Sequence, residues 1–592
     1  MVGDGWVRVP VGRDAARWVT RGGSRSVLFV VHNVTSATRL LDVLPLLSGD
    51  LRVQTLVTCT GSSPFLAGVP ELMERAGLPV LPWEQAKATP FDLVVSASYG
   101  GELEALQGDL AVLSHGVGYN KRLATPDTGH RTPDTGHRTP APVFGLSPDW
   151  LLHQGRPLAA ATVLSHPEQL DRLRAACPEA AGTAVLAGDP CFDRILAALP
   201  YRERFRRALG VGDGQRLVVV NSTWAPGSLF GDGPGDDGGD LLPSLLPRLA
   251  SELPADEYRT AAVLHPNIWH GHGPGQVRAW LDRARRAGLV LIPPLEGWRQ
   301  ALIAADCVLG DHGSVTFYAA AIGTPLLLGA FPGSALDPGS PVAALGRAAP
   351  RLRPYEGLRA QIDRVVDSHT PDRYSEQAAQ VSSAPGRSAG LLRRVFYELI
   401  GIPEPPGPAL LDRLPLPAWE PVERTAPVRV LALPAGAAPP EIAVVRYADA
   451  GGEPEGAGPG WEAHTAVHED TPDPGRLRIA DVILRYAAAD DPRVGPPAAW
   501  GAEVLARHPA CALAAYVTGP DRCTVRTRGG DLLRLTAAPD GAGRADLCDP
   551  AAYASALYAW LGAGKSLDEA TAAGIVVSTG AARHRVAVER EA

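Results

Sequence analysis

Paired cysteines, an excess of positive charge and long apolar runs are all missing from this sequence of 592 residues. The seven cysteines form no CxxC pair and are odd in number, which argues against a disulfide framework and fits a reducing compartment. The net charge of −8 indicates no general affinity for nucleic acid. No stretch approaches the roughly 18 apolar residues of a membrane-spanning helix, and the N-terminus lacks the apolar segment of a signal peptide. We therefore expect a cytoplasmic protein, and no basic amphipathic segment indicates contact with a membrane.

What the sequence does contain is a regular alternation of short apolar runs with helical patterns. A chain of this length exceeds one hydrophobic core, so several domains are expected. Continuous apolar runs predict strands buried on both faces, which is typical of parallel sheets with crossover helices. The runs fall in two series, 27–31, 53–58, 93–96, 110–114 and 183–187, then 217–220, 261–265, 290–292, 307–309 and 325–328. The predicted fold class is therefore α/β, with two doubly wound Rossmann-like domains at 1–195 and 196–400.

Beyond residue 400 the pattern changes. Residues 401–427 hold eight prolines, which predicts an extended linker. Short strand and helix patterns in 428–592 predict a smaller accessory α+β module. Two insertions interrupt the first two domains: a seven-residue tandem repeat at 125–138, which contains His130 and His137, and a Gly- and Asp-rich stretch at 225–240. Metal binding is one interpretation of each, and we favour exposed loops for both.

Two of the loops at predicted strand ends suit a ligand site well. Residues 310–314 have the sequence GDHGS and connect a strand to a helix. Such a turn points free N–H groups and the positive end of a helix dipole at one spot, which suits a phosphate. His115 lies beside glycines after another strand, and its near-neutral pKa suits a general base. Hydrogen bonding of His115 within its own loop is an equally good interpretation.

The other two loops are less specific. The first contains His265, Pro266 and Asn267, and a simple turn set by the proline also explains it. His265, His270 and His272 match no standard zinc spacing, so we expect no metal there. The second loop, GDPCFD at 188–193, is as readily an interdomain hinge as a ligand contact.

Taken in order, these motifs resemble one known family. They are HGxxxxK at 115–121, GxPxxD at 188–193, NSTW at 221–224, HPN at 265–267 and DxGSVxF at 311–317, followed by GTPLL. The series resembles the CDP-glycerol glycerophosphotransferase family of the teichoic-acid polymerase type over about residues 25–370. Its last stretch is also similar to UDP-N-acetylglucosamine 2-epimerases. The resemblance implies the GT-B architecture of two facing Rossmann-type domains, and a role in the cell envelope.

The resemblance also implies a role for each matching residue. His115 matches the catalytic base of the N-terminal domain, and His265 matches the histidine that contacts the donor phosphate. Gly313 and Ser314 match the residues that hold the pyrophosphate. Asp311 would orient their turn.

Lys121 and Asn267 are the remaining candidate donor-binding residues. Lys121 is the basic residue that follows the HG loop, although Val-Gly-Tyr at 117–119 replaces the family's usual Thr-Pro. Gly313 stands where the family often has Ser. Tyr318 stands where the family often has an acid that contacts the donor's ribose or polyol, and a tyrosine cannot supply that carboxylate.

The expected function is a transferase that moves a glycosyl or polyol-phosphate group from a nucleotide-diphosphate donor to an acceptor hydroxyl. No metal or cofactor is expected, because a helix dipole and backbone N–H groups can hold the donor phosphates. One alternative is a nucleotide-sugar epimerase, which would need additional acid/base carboxylates near the cleft. The other is a catalytically silent GT-B-like binding or scaffold protein.

Overall fold

The structure is a computed structural model that describes residues 5–12, 14–114, 116–122, 142–233, 239–421, 424–437, 439–448 and 458–591. Within these ranges the chain forms two parallel sheets with helices on both faces and, after them, a closed barrel. The predicted pair of doubly wound α/β domains is thereby confirmed.

The first sheet has seven parallel strands in the order β3-β2-β1-β4-β5-β8-β9, with a small hairpin of β6 and β7 beside it. In strand β1, alternate residues are buried on opposite faces of the sheet: Val27 and Phe29 pack in the core on one face, and Leu28 and Val30 pack in the core on the other. The strands are β1 (Arg25–Val31), β2 (Val53–Cys59), β3 (Val80–Leu81), β4 (Leu93–Ser96), β5 (Leu110–Val112), β6 (Leu152–His153), β7 (Arg156–Pro157), β8 (Ala161–Leu164) and β9 (Ala184–Leu186). The helices are α1 (Val34–Val43), α2 (Val69–Ala76), α3 (Trp83–Lys87), α4 (Pro148–Leu151), α5 (Pro167–Ala176) and α6 (Pro190–Ala198).

The second sheet has five parallel strands in the order β12-β11-β10-β13-β14, again with a core on each face. Its strands are β10 (Arg216–Ser222), β11 (Tyr258–Leu264), β12 (Val290–Leu291), β13 (Cys307–Gly310) and β14 (Leu326–Leu328). The helices of this region are α7 (Arg202–Ala208), α8 (Leu242–Ser251), α9 (Pro266–His272), α10 (Pro274–Trp280), α11 (Asp282–Arg286), α12 (Trp298–Ala304), α13 (Ser314–Ala321), α14 (Pro341–Ala348), α15 (Leu358–Asp367), α16 (Ser375–Ala379) and α17 (Ser388–Ile400).

Helix α17 returns from the second sheet to the first. Leu392, Phe396 and Tyr397 are buried in the core of the first sheet, next to α1. At its N-terminus the Asp193 carboxylate of α6 accepts hydrogen bonds from the backbone N–H groups of Gly386 (2.7 Å) and Ser388 (2.9 Å). The chain thus crosses between the two sheets twice, at α6 and at α17.

The C-terminal module is a closed barrel of mixed strands in the order β15-β16-β22-β23-β21-β20-β19-β18-β17. Its strands are β15 (Val428–Ala437), β16 (Pro440–Tyr447), β17 (Glu462–His468), β18 (Val482–Tyr486), β19 (Leu513–Gly519), β20 (Arg522–Thr527), β21 (Leu532–Ala537), β22 (Ile575–Thr579) and β23 (Ala582–Arg590). Its helices are α18 (Pro474–Arg478), α19 (Pro497–Arg507), α20 (Ala551–Gly562) and α21 (Leu567–Ala573).

Helix α20 fills the barrel, because it is apolar all round and contacts strands on several sides. A buried ionic group fixes the barrel to the second sheet's module. Arg446 of β16 donates to both Asp256 oxygens, at 2.6 and 2.8 Å, and to Asp549 at 2.9 Å, and Arg424 donates to Asp549 at 3.1 Å. Asp256 lies just before the first residue of β11, so the barrel is attached at the amino end of that strand.

Candidate functional site

A cavity of about 310 Å³ opens between the two sheets. Residues that follow β1, β4 and β5 form one wall, and residues that follow β10, β11 and β13 form the other. The carboxyl ends of the strands in both sheets therefore meet at this cavity, which is where doubly wound folds bind ligands.

The GDHGS turn forms the floor on the second wall. Helix α13 begins at Ser314, and no side chain caps its N-terminus. The N–H groups of its first turn lack intrahelical acceptors and point with the helix dipole toward the cavity, which Gly313, Ser314 and Val315 line. This arrangement can hold a phosphate through backbone groups.

The buried Asp311 side chain fixes the conformation of that turn through hydrogen bonds. The side chain is 1% exposed. One carboxylate oxygen accepts from the backbone N–H of Gly313 at 2.9 Å. The other accepts from Thr223 N–H at 2.9 Å, Leu229 N–H at 3.1 Å and the Ser222 hydroxyl at 3.2 Å. Protein donors thus occupy both oxygens, so Asp311 orients the turn and the NSTW loop rather than facing the cavity.

His265 stands at the end of β11 and is oriented by the next turn of chain. Its Nδ1 accepts the backbone N–H of Asn267 at 3.1 Å, so in the neutral ring the proton is on Nε2. Nε2 lies 3.5 Å from the Thr35 hydroxyl across the cleft. His265 therefore presents an N–H donor to the cavity, whereas the Asn267 side chain does not line it and contributes through its backbone.

Lys121 comes from the first wall but reaches the NSTW loop of the second. Its Nζ lies 3.5 Å from the Thr223 hydroxyl and 5.6 Å from the centre of the Trp224 ring. Burial lowers the pKa of Lys121, and the nearby Asp311 carboxylate opposes that shift. An anionic ligand would favour the charged amine at this point.

The HG loop brings the two walls into contact. His115 lies outside the described residues, but Ser114 and Gly116 on either side of it line the cavity. The Val117 N–H donates to the Ser314 hydroxyl at 3.2 Å. Gly116 has φ of +103°, and a Cβ at that position would lie 2.6 Å from the Ser314 Oγ. Glycine is therefore required for this close approach.

Tyr318 is a buried residue of α13, and its hydroxyl donates to Asp189 of the GDPCFD turn at 2.6 Å. The position that the sequence leaves without a carboxylate therefore contacts one supplied from 188–193. Burial raises the pKa of Asp189, and Arg39 and the Tyr318 hydrogen bond oppose that shift. The turn at 188–193 thus contacts α13, the helix that begins at the floor of the site.

Two cavity residues escape sequence reasoning. His312 is buried, its Nδ1 has no hydrogen-bond partner within the described ranges, and burial lowers its pKa to about 4. It is a neutral ring at physiological pH, and its place inside GDHGS was the signal for it. Arg39 lies within α1 and lines the same cavity, with no motif around it to mark it.

No protein-family model matches the sequence, and no curated protein matches it. Among solved structures the chain is similar to the wall teichoic acid polymerase TagF, at 14% identity, with 64% of this chain and 91% of that chain covered and a TM-score of 0.43. It is also similar to the UDP-GlcNAc 2-epimerase from Neisseria meningitidis bound to UDP-GlcNAc, at 12% identity, with 63% and 99% covered and a TM-score of 0.38. A third is Anabaena Alr3699/HepE in complex with UDP, at 13% identity, with 64% and 100% covered and a TM-score of 0.36. At these values the likenesses carry no conclusion about ligand or activity.

Two further observations concern the described part of the chain. None of its helices is long and apolar enough to cross a membrane. No group of three or more His, Cys, Asp or Glu side chains within it is arranged to hold a metal ion.

Proposed function

We propose that the chain is a GT-B-fold transferase that moves a glycosyl or polyol-phosphate group from a nucleotide-diphosphate donor to an acceptor hydroxyl. The observation that carries this proposal is the contact between the two walls. The turn at Ser314, which would bind a phosphate, touches the HG loop at Val117, so a donor phosphate and the residues around His115 would share one small cavity.

On the donor side, the N–H groups at the start of α13 would hold the diphosphate. Lys121 and the Nε2–H of His265 would add a charge and a directed hydrogen bond. These groups stabilise the negative charge that grows on the leaving nucleotide phosphate. No step of this scheme needs a metal ion, because the backbone, the helix dipole and Lys121 supply the positive potential.

On the acceptor side, His115 would take the proton of the acceptor hydroxyl. For a glycosyl donor the acceptor oxygen bonds to the sugar carbon, the carbon–oxygen bond breaks, and a nucleoside diphosphate leaves. For a polyol-phosphate donor the acceptor oxygen bonds to the phosphorus that carries the polyol, the bond from that phosphorus to the bridging oxygen breaks, and a nucleoside monophosphate leaves. Both outcomes place the new negative charge at the same turn.

The epimerase alternative is less well supported by the cavity. Epimerisation needs acid and base groups that exchange a proton with carbon, and the sequence alternative required carboxylates for this. Among the described residues that line the cavity, none is Asp or Glu, and the charged side chains are Arg39 and Lys121. Such a lining favours binding of anions over carboxylate acid/base chemistry.

A thermal-shift screen with CDP-glycerol, UDP-sugars and dTDP-sugars tests donor binding. A true donor at ~100 times its dissociation constant adds roughly 2.7 kcal/mol to the folded state. Ser314→Asp should lower the affinity for that donor at least about tenfold, because the new carboxylate would repel the donor's phosphates. Ser566→Asp, at the start of α21 in the barrel, is the matched control and should leave binding unchanged. Unaltered affinity in Ser314→Asp would remove the turn from the donor site.

Turnover separates an enzyme from a silent scaffold. His115→Ala should lower the rate by about 10²- to 10⁴-fold and leave donor affinity nearly intact, because a general base acts on the acceptor. His153→Ala, an exposed histidine in the same domain, serves as the control. If the wild type transfers nothing from any donor that it binds, the scaffold alternative replaces the transferase.

A further inference from the structure

Three guanidinium groups converge on one buried carboxylate at the base of the cleft. Arg194 donates to one oxygen of Asp42, and Arg299 donates to the other at 2.5 Å. Arg39 reaches that second oxygen only at 3.3 Å. The Asp42 side chain is 3% exposed, and both of its oxygens are already engaged by Arg194 and Arg299. One carboxylate cannot neutralise three cations, so Arg39 contributes surplus positive charge.

Asp189, the other carboxylate within electrostatic range of Arg39, makes no hydrogen bond or ion pair with it among the described residues. One oxygen of Asp189 accepts from the Tyr318 hydroxyl at 2.6 Å. The other accepts from the N–H groups of Cys191 and Phe192 at 2.8 and 3.1 Å. Asp189 therefore lies within electrostatic range of Arg39 but uses its hydrogen-bonding capacity elsewhere.

Two aromatic rings orient the Arg39 guanidinium, and some of its N–H groups have no acceptor within the described residues. The guanidinium carbon lies 5.6 Å from the centre of the Trp298 ring and 5.9 Å from that of Tyr318, which orient the planar group. Its Nε is buried and has no hydrogen-bond partner in the described ranges. A guanidinium carries five N–H donors. Nη1 donates to Asp42, and Nη2 makes no hydrogen bond within the described residues, so the Nη2 group is the part left for a ligand.

These donors belong to a face of α1 that lines the cavity. Thr35, Thr38 and Arg39 recur at helical spacing and all contribute to the lining. Thr35 lies beside His265, and Arg39 follows it one helical turn later on the same face of α1. The cavity thus has two cationic points, Lys121 with the α13 turn and Arg39 on α1.

We propose that Arg39 is a second anion-binding residue, which holds a phosphate or carboxylate group of the acceptor or of the transferred group. This site is separate from the donor diphosphate, and the inference rests on the proposed function in assigning the diphosphate to the α13 turn. A rigid guanidinium fork suits two oxygens of one oxyanion, and a neutral cavity ligand would leave it uncompensated.

Isothermal titration on the full chain tests the proposal in two arms. In the acceptor arm, glycerol 3-phosphate and its neutral partner glycerol are titrated into protein saturated with CDP or UDP. In the donor arm, UDP-glucuronate is compared with UDP-glucose. The wild type should prefer the anionic member in at least one arm, and the arm that shows the preference identifies which substrate carries the group.

Arg39→Gln should abolish that preference, a loss of about tenfold or more in affinity for the anionic ligand. Arg39→Lys keeps the charge without the fork and should retain part of it, which also provides a readout if Arg39→Gln melts at a lower temperature. Arg194→Gln is the matched control, because Arg194 shares Asp42 but does not line the cavity.

Two results overturn the proposal. The first is no preference for the anionic ligand in either arm. The second is an equal loss of affinity for the anionic ligand in Arg194→Gln, which would make Arg39 only a contact between the two domains. Failure of the proposed function is distinguishable. If neither CDP nor UDP binds, glycerol 3-phosphate titrated alone against wild type and Arg39→Gln still decides the Arg39 site.

Discussion

Asp311→Asn is the substitution that most directly tests how this site is built. The carboxylate accepts four hydrogen bonds in a fully buried position. An asparagine can keep its oxygen toward Thr223, Leu229 and Ser222. Its NH₂ group then faces the N–H of Gly313, so two donors oppose each other where a 2.9 Å hydrogen bond stood.

The expected cost follows from this geometry. The lost charge-assisted hydrogen bond is worth roughly 1.5–3 kcal/mol and the Gly313 N–H left without an acceptor roughly 1–3 kcal/mol, and these two figures overlap because they describe the same broken bond. We expect a loss of about 3 kcal/mol in the free energy of unfolding, which a protein of ordinary stability survives. Because the Gly313 N–H is released, the turn shifts, and affinity for the donor nucleotide should fall about tenfold.

Urea denaturation and nucleotide titration of the same preparations measure both effects. Asp473→Asn is the control, because Asp473 caps α18 at an exposed position in the barrel, where Asn caps as well as Asp. Wild-type stability together with wild-type nucleotide affinity in Asp311→Asn would refute the claim that this carboxylate shapes the turn. A stability loss with unchanged affinity would show that the turn is not where the nucleotide binds.

Two further predictions concern strain and protonation. Gly116→Ala should destabilise the protein by about 2 kcal/mol, because φ is +103° and the new Cβ meets Ser314. This loss of stability, measured by urea denaturation, should be smaller in a Ser314→Gly background. Strictly additive costs of the two substitutions would contradict the steric explanation. Burial lowers the pKa of His464 to about 4 in the folded barrel, below its unfolded value of about 6.5. Between these two pH values the folded state binds fewer protons than the unfolded state. The free energy of unfolding should therefore fall by up to about 3 kcal/mol as the pH drops from about 6.5 to 4. His464→Phe should flatten that part of the pH–stability curve, and an unchanged slope would exclude His464 as its source.

The sequence predicted the two parallel sheets well because their strands are continuous apolar runs. Strand β8 (Ala161–Leu164) was not predicted, since its short run contains alanine and threonine and follows a long loop. In the barrel, strands β15, β16, β19 and β20 and helices α19 and α20 were recognised, whereas the other five strands and the closure were not. Closure depends on pairs such as β15 with β17 and β16 with β22, which join distant segments and leave no local periodicity.

The candidate site shows the same division between local and distant information. The GDHGS turn and His265 lie at strand ends, where a local motif is enough to place them at the carboxyl edge of a sheet. Arg39 has no motif, because its position depends on Trp298 and Tyr318 from the other domain packing against α1. The buried role of Asp311 also depends on the loop after β10, which reaches it only in the folded chain.

The Ser314 hydroxyl belongs to a local motif, the GDHGS turn, and also makes a contact with the distant HG loop. Its oxygen accepts the Val117 N–H from the first wall, and a hydroxyl that accepts can still donate its own hydrogen. Ser314 can therefore donate to a phosphate oxygen while the HG loop stays attached to it. The distance between a bound phosphate and the residues around His115 would then be set by a single hydrogen bond rather than by the chain crossings at α6 and α17. Gly116 makes that bond geometrically accessible, so the glycine of the HG motif serves the contact between the walls and not only the shape of its own loop.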